Sequence, residues 1–370
     1  MFSYWEKNTF LSQTDFTILG SGIVGLTTAI FLKQKHPKSS VQILERGMLP
    51  TGASTKNAGF ACFGSLGELM DDFTQTKENQ VYQLLLERVK GLEELKHLVG
   101  EQAIDFQQLG GYELFKTNQE EEFEACLEKM NEVNEHLYPS FSSVVYHQVP
   151  NTFGFQNVCG IIKNQFEGQI DTGLMMQSLL RLAKELEIRI LNGCEITKIE
   201  EKPQKVLLRT KNDETIQTSK LFICTNGFAK QFLPNHNLKP ARAQVLITKP
   251  IEKLPFEGTF HYDKGYYYFR NIHNRILLGG GRNLAFKEET TTEMINTDLI
   301  LNHLQLLLKE VILPNTPHEI DYSWSGIMGV GENKSPFIEQ VSENIYCGVK
   351  LGGMGIALGT LVGKKLSNLA

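Results

Sequence analysis

Three glycines in the run Gly20-Ser21-Gly22-Ile23-Val24-Gly25, with a carboxylate at Glu45 twenty residues on, have the types and spacing to hold a dinucleotide. Gly20 permits a tight turn, Gly22 lets the backbone approach a pyrophosphate, and Gly25 lets helix and strand pack closely. Ile23 and Val24 open the helix, whose N-terminus brings free N–H groups and partial positive charge to the phosphates. Glu45 can accept from both ribose hydroxyls and would repel a 2′-phosphate. A second glycine-rich stretch, "KLGGMGIALGTL" at 350–361, also feeds a helical pattern, through Gly352, Gly353, Met354, Gly355 and Ile356. The first loop alone fits NAD as well as FAD.

Few other residues have chemistry-bearing patterns. In "GYYYFR" (265–270), Tyr266 and Tyr268 share one face of a strand by period two, and Tyr267 takes the other. Arg270 and Arg282 carry guanidinium forks that suit a carboxylate. His261 and His273 read as surface or structural residues. The six cysteines, Cys62, Cys126, Cys159, Cys194, Cys224 and Cys347, stand far apart, with no CxxC or Cys/His cluster. That spacing predicts reduced thiols in a cytoplasmic protein and no metal site.

These residues need a scaffold. "DFTILG", "IVGLTTAIFLKQK" and "VQILE" read as strand, helix and strand, a βαβ unit with a parallel pair. Amphipathic helices follow, with Val81, Leu85, Val89, Leu92 and Leu95 on one face, and then Phe123, Leu127, Met130 and Val133 on another. Residues 241–282 are strand-rich. A chain of 370 residues suits two domains, and the alternation of patterns predicts that they are threaded through each other. A net charge of −5 with scattered lysines argues against a nucleic-acid partner. No apolar run approaches the ~20 residues of a membrane span. Phe2, Tyr4 and Trp5 make the first residues too aromatic for a plain tail, and they are expected to pack on the body or on a partner.

The ordered set "ILGSGIVGLTTAIFL", "ILERG", "GASTKNAGF", "CTNG", "GYYYFR", "RILLGGG", "WSGIMG" and "GVKLGGMGIALG" resembles the FAD-dependent amine and amino-acid oxidoreductases, the family of D-amino-acid, glycine and sarcosine oxidases. The resemblance implies a mixed α/β fold. A Rossmann-like FAD-binding domain of p-hydroxybenzoate-hydroxylase type (1–85, 165–232 and 322–370) is interleaved with a sheet-based substrate domain (86–164 and 233–321). It implies FAD, and hydride removal onto flavin N5 from a carbon bearing an amine. Arg46 would lie near the adenine and ribose. Ala53, Ser54, Thr55, Lys56, Asn57, Ala58 and Gly59 would pass the pyrophosphate and flavin, with Lys56 offsetting phosphate charge or simply solvated. Thr225, Asn226, Gly227 and Gly326 would approach the cofactor. Gly352 to Ile356 would pass the flavin ring, a helix N-terminus aimed at N1 and C2=O. Tyr266, then Tyr268, would contact the substrate.

Three departures from the family pattern bear on chemistry. Where amino-acid oxidases place an arginine after Trp-x-Gly, this chain reads Trp324-Ser325-Gly326-Ile327-Met328, which leaves Arg282 or Arg270 to grip a carboxylate. No cysteine stands there either, so FAD is expected to be non-covalent. Leu277 stands where the oxidases have an oxygen-activating lysine, so the electron acceptor is O2 or another carrier. A 2-hydroxy-acid dehydrogenase, or a flavin-binding partner protein without catalysis, are the alternatives.

Overall fold

The computed structural model describes residues 2–370, which form two eight-stranded sheets, a two-stranded ribbon and eight α-helices. The chain visits the first sheet with β1 (Thr14–Leu19), α1 (Ile23–Lys35) and β2 (Val41–Leu44). Next come α2 (Ala53–Lys56), β3 (Phe60–Ala61), α3 (Leu66–Gln75) and α4 (Glu78–Val99). It crosses to the second sheet with β4 (Gly111–Lys116), α5 (Glu120–Phe141), β5 (Tyr146–Val149) and β6 (Val158–Asn164). It returns through β7 (Gly168–Gln169), α6 (Thr172–Glu185), β8 (Arg189–Leu191), β9 (Ile196–Lys202), β10 (Lys205–Thr210) and β11 (Thr215–Ile223). The second sheet is completed by β12 (Lys239–Thr248), β13 (Thr259–Tyr262), β14 (Tyr267–Ile272), β15 (Arg275–Gly280), α7 (Asp298–Leu307) and β16 (Ile320–Val330). Finally β17 (Phe337–Gln340), β18 (Ile345–Val349) and α8 (Gly355–Ser367) rejoin the first.

The first sheet runs β17-β18-β11-β1-β2-β8, with a β9-β10 meander attached to β11. β1 is parallel to both neighbours, so Ile18 lies between Ile43 and Phe222. The second sheet runs β16-β12-β15-β14-β13-β4-β6-β5, antiparallel except where β13 meets β4. Helices α1, α4, α6 and α8 cover the first sheet, and the apolar cluster they form continues through α5 to Phe115, Tyr146 and Ile162 on the β4–β6 edge of the second sheet, whose other strands pack a core of their own with α7.

α1 is apolar on most sides because it is buried on most sides, wedged between β1 and α8. Glycines set that spacing. A Cβ on Gly359 of α8 would stand 2.6 Å from Ile23 of α1. One on Gly91 of α4 would run into the carbonyl of Ala357. Gly359 is thus a close-packing position one turn into the last helix.

Three expectations need correcting. Residue 85 is not a boundary: it lies inside α4, whose buried Val81, Leu85, Leu92 and Leu95 belong to the core of the first sheet. Residue 322 lies inside β16, which pairs along its length with β12 in the second sheet. The N-terminal aromatics meet theirs only in part: Phe2 is half-buried, whereas Tyr4 and Trp5, 71% and 73% exposed, do not pack on the body.

Candidate functional site

A cavity of about 1030 Å³ lies between the two sheets, walled by the loops after β1, β2, β11 and β15, by β16, and by the entry to α8. At one end Gly20, at φ +97°, turns the chain from β1 toward α1 and donates to the Leu44 carbonyl at 2.9 Å. A Cβ on Gly25 would run into the Gly20 carbonyl, so Gly25 itself packs rather than lines. Gly22 caps α1 without a side-chain cap, and the Ile23 N–H donates to Ser54 Oγ at 2.9 Å. Glu45 is buried and already bound. Its Oε2 accepts from the backbone and hydroxyl of Ser21 at 3.0 and 2.6 Å, and its Oε1 accepts from the Gly47 N–H at 2.9 Å. Ser21 therefore fixes the carboxylate that the sequence assigns to ribose. Beside it the Arg46 guanidinium lies 3.6 Å over the Phe228 ring.

Along the middle, Ala53, Ser54, Lys56, Asn57 and Ala58 face the cavity. Thr55 and Gly59 do not. The Thr55 hydroxyl donates back to the Pro50 carbonyl at 2.7 Å, and Gly59, at φ +76°, turns its carbonyl to Arg270. Thr225, Asn226 and Gly227 stand opposite, and the Asn226 side chain accepts from the Lys350 N–H at 3.1 Å. This contact ties the turn after β11 to the loop before α8. Gly326 faces Lys56, whose carbonyl accepts from the Trp324 indole at 2.9 Å.

At the far end Gly352, Gly353, Met354, Gly355 and Ile356 line the wall, and α8 begins at Gly355 with no side-chain cap. Tyr266, Tyr268 and Arg282 line the same cavity, with Tyr267 turned away into the core of the second sheet. Tyr266 sits on the turn before β14 and packs edge-on against Phe286; Tyr268 packs edge-on against Phe60. Burial pushes the Tyr268 hydroxyl up to about 12. The Arg282 guanidinium lies over Phe286, burial lowers its pKa, and its Nε is buried with no partner.

Arg270 is a correction. It is 3% exposed, lies outside the cavity, and donates through Nη1 to the carbonyls of Gly59 and Ile170 at 2.9 and 2.7 Å. Burial brings it down to about 10. It is a tie between β14 and the loops around α2 and β7, not a carboxylate anchor. Leu277 packs with Ala58, Val245 and Ile247 and adds no charge to the wall.

The sequence reading missed part of the wall. Phe228 was hidden in an unremarkable turn. Cys62, Glu68, Arg88, His261 and Lys334 also border the cavity. Lys334 bridges Glu68 and Asp72 at 2.9 and 2.7 Å. Burial alone would raise the Glu68 carboxyl, but Lys334 and Arg88 hold it down to about 2. The one available signal was alternation in "TFHYD", which sets His261 against Phe260 and Tyr262 on opposite faces.

The residues present fit a large dinucleotide. The cavity has two helix N-termini without side-chain caps and a Gly22 that a Cβ would crowd onto Ser54 at 2.8 Å. Its buried Thr225 Oγ1 has no protein partner. Residues 15–369 match the profile of the family described as "FAD dependent oxidoreductase". The Haemophilus influenzae protein described as "Probable oxidoreductase OrdL" is 20% identical over 367 residues, covering 96% of this chain and 82% of that one. Glycine oxidase from Geobacillus kaustophilus superposes with a TM-score of 0.77 at 18% identity, covering 96% of this chain and 94% of that one. L-proline dehydrogenase from P. horikoshii gives 0.75 at 18% identity, covering 97% and 93%.

Proposed function

The chain belongs to the FAD-dependent oxidoreductase family, and on that premise we propose that it removes a hydride from the carbon next to the amine of a small amino acid. The observation that carries the reading is Arg282, a half-buried guanidinium on the cavity wall with Tyr266 and Tyr268, whose Nε is buried without a partner. A carboxylate is the group that such a fork receives best. The amine rests on the neighbours, which are described as glycine oxidase, L-proline dehydrogenase and iminodiacetate oxidase.

FAD, when bound, supplies the hydride acceptor. The Gly20–Gly25 turn with the start of α1 would hold its pyrophosphate, Glu45 its ribose, and the start of α8 the pole that becomes anionic on reduction. The chain's own work at the other end is to seat the carboxylate on Arg282, to hold the reacting carbon against Tyr268, and to exclude water with Phe60 and Met328. No cysteine follows Trp324-Ser325-Gly326, so FAD is held without a covalent link. With Leu277 in an apolar cluster, the electrons pass to a carrier other than O2. Six free cysteines are in keeping with a reducing cytoplasm. Among the described residues no helix is long and apolar enough to cross a membrane.

Purified protein should absorb near ~450 nm. Amines, amino acids and 2-hydroxy acids are then mixed with it anaerobically. Bleaching by amino acids supports the reading; bleaching by 2-hydroxy acids alone, or by nothing in the panel, rejects it.

A further inference from the structure

Of the described residues 282–297, which carry the chain from Arg282 to the start of α7, only Glu289 is buried. The large apolar side chains of this segment, Leu284, Phe286, Met294 and Ile295, are at least 40% exposed, so it has no buried apolar anchor. A polar knot holds it instead. The Glu289 carboxylate accepts from Arg242 Nε and Nη2 at 2.8 and 2.7 Å, and from Gln244 Nε2 at 3.1 Å to each oxygen. The Glu289 carbonyl accepts from the Arg242 N–H at 2.8 Å. Further on, the Glu293 carbonyl accepts from Arg242 Nη1 at 3.3 Å. Thr297 closes the knot: its N–H donates to Gln244 Oε1 at 2.8 Å, and its hydroxyl accepts from Gln244 Nε2 at 2.9 Å. Arg242 and Gln244 are themselves 3% and 0% exposed.

Both belong to β12, whose alternate residues Ala243 and Val245 line the cavity. Alternation along a strand puts the knot on the opposite face. The segment therefore starts on the cavity wall at Arg282 and is pinned behind the sheet at Glu289. Short backbone links join the two. The Glu289 N–H donates to the Ala285 carbonyl at 2.9 Å, and the Ala285 N–H to the Arg282 carbonyl at 3.1 Å. On the other side Gly281, at φ +81°, donates to the Tyr266 carbonyl at 3.0 Å. Burial lowers the Arg282 pKa, with Tyr266 and then Glu289 opposing it, so the charge of Glu289 is felt at the guanidinium.

A buried ion pair adds little net stability over apolar residues of like volume, and its best attested use is to fix register. We propose that Glu289 is a positioning residue: held by Arg242 and Gln244, it fixes the segment that carries Arg282 and so sets how tightly the site seats a substrate carboxylate. This role rests on the function proposed above. Glu289 does not border the cavity and acts through Arg282 alone. The affinity of the carboxylate seat is then set from behind the sheet, by a side chain that meets neither substrate nor cofactor.

The test is binding of isobutyrate, a carboxylate with no amine to oxidise, to the holoenzyme. It is read from the flavin spectrum and set beside urea unfolding. Glu289→Gln should weaken isobutyrate about tenfold and raise KM for the best amino acid by a similar factor, with kcat kept within about threefold. In an Arg282→Ala background the same change should cost less than about twofold, because the contact it positions is already gone. A lowered unfolding midpoint with isobutyrate binding unchanged would make the knot merely structural and overturn the proposal. An equal loss of isobutyrate binding in both backgrounds would also overturn it. Should Glu289→Gln fail to fold, the double variant Arg242→Met/Glu289→Leu replaces the pair by apolar side chains, which cores accept, and it decides by the same readings. If Arg282→Ala itself leaves isobutyrate binding unchanged, the carboxylate seat of the proposed function fails and takes the role of Glu289 with it. If Arg282 matters and Glu289 does not, only the role of Glu289 falls. If no amino acid reduces the flavin, the proposed function fails, while isobutyrate binding still decides whether Glu289 positions Arg282.

Discussion

The two ends of the cavity are made of different material. At the Gly20 end the working groups are backbone: a turn at φ +97°, an uncapped helix N-terminus, and a carboxylate pinned by Ser21. At the Arg282 end they are side chains drawn from β13, β14, the loop after β15, and β16. A backbone site tolerates few residue types but depends on only one stretch of chain. A side-chain site tolerates many, but depends on the register of several strands. The first should therefore break all at once, and the second one contact at a time.

The sharpest way to break the first end is Gly25→Ala. The new Cβ meets a backbone carbonyl, which cannot rotate away as a side chain can. We expect a loss of at least about 3 kcal/mol, with FAD content near zero in the absorbance ratio of the purified protein. Retention of wild-type FAD would mean that α1 can slide on β1, and that the backbone site is softer than its geometry.

At the second end, Arg270 and Arg282 separate structure from binding. Arg270→Ala leaves the Ile170 carbonyl buried without a donor and the Gly59 carbonyl with only the Ile170 N–H, so it should lower stability by about 2 kcal/mol in denaturant unfolding. The surviving protein should keep its KM. Arg282→Ala should do the reverse, raising KM for a carboxylate substrate ~30-fold, about 2 kcal/mol, with little change in the unfolding midpoint. Equal effects on both measurements would erase the distinction.

The same contrast explains what was legible in the sequence. Gly20, Gly22, Gly25 and Glu45 could be read because their spacing is local and their constraints are steric. The α8 loop could be read because four glycines in eight positions have no use in a plain helix. Arg270 and Arg282 could not be told apart, since both belong to one strand-rich stretch and only the fold shows that Arg270, within β14, meets carbonyls while Arg282, after β15, meets the cavity. The edge at residue 322 was misplaced because "YSWSGIMG" serves both units: its backbone pairs with β12 while Gly326 faces the cavity. The pairing of His261 with Glu113 was invisible, because β4 lies far from the β13–β14 hairpin in the chain and had to be placed in register with it first.

Glu113 gives the smallest effect and the one with a sign to work out. Burial pushes its carboxyl up to about 7, with only the Gly67 N–H and Ser65 pulling the other way. A raised carboxyl means that the folded state favours the neutral form. Its stabilising contribution is complete below the ordinary value of 4.5, declines as pH rises from there, and is lost through about 7. The ceiling on that loss is about 3 kcal/mol at ~1.4 kcal/mol per pH unit. Glu113→Gln does not titrate and keeps an acceptor for Gly67. Its carboxamide adds a donor with no designated partner, which takes back about 2 kcal/mol. The variant should therefore match or trail the wild type at pH 5 and exceed it by about 1 kcal/mol at pH 8, read from urea unfolding at both values. The wild-type decline should be absent from the variant. A parallel decline in both would place the titrating group elsewhere.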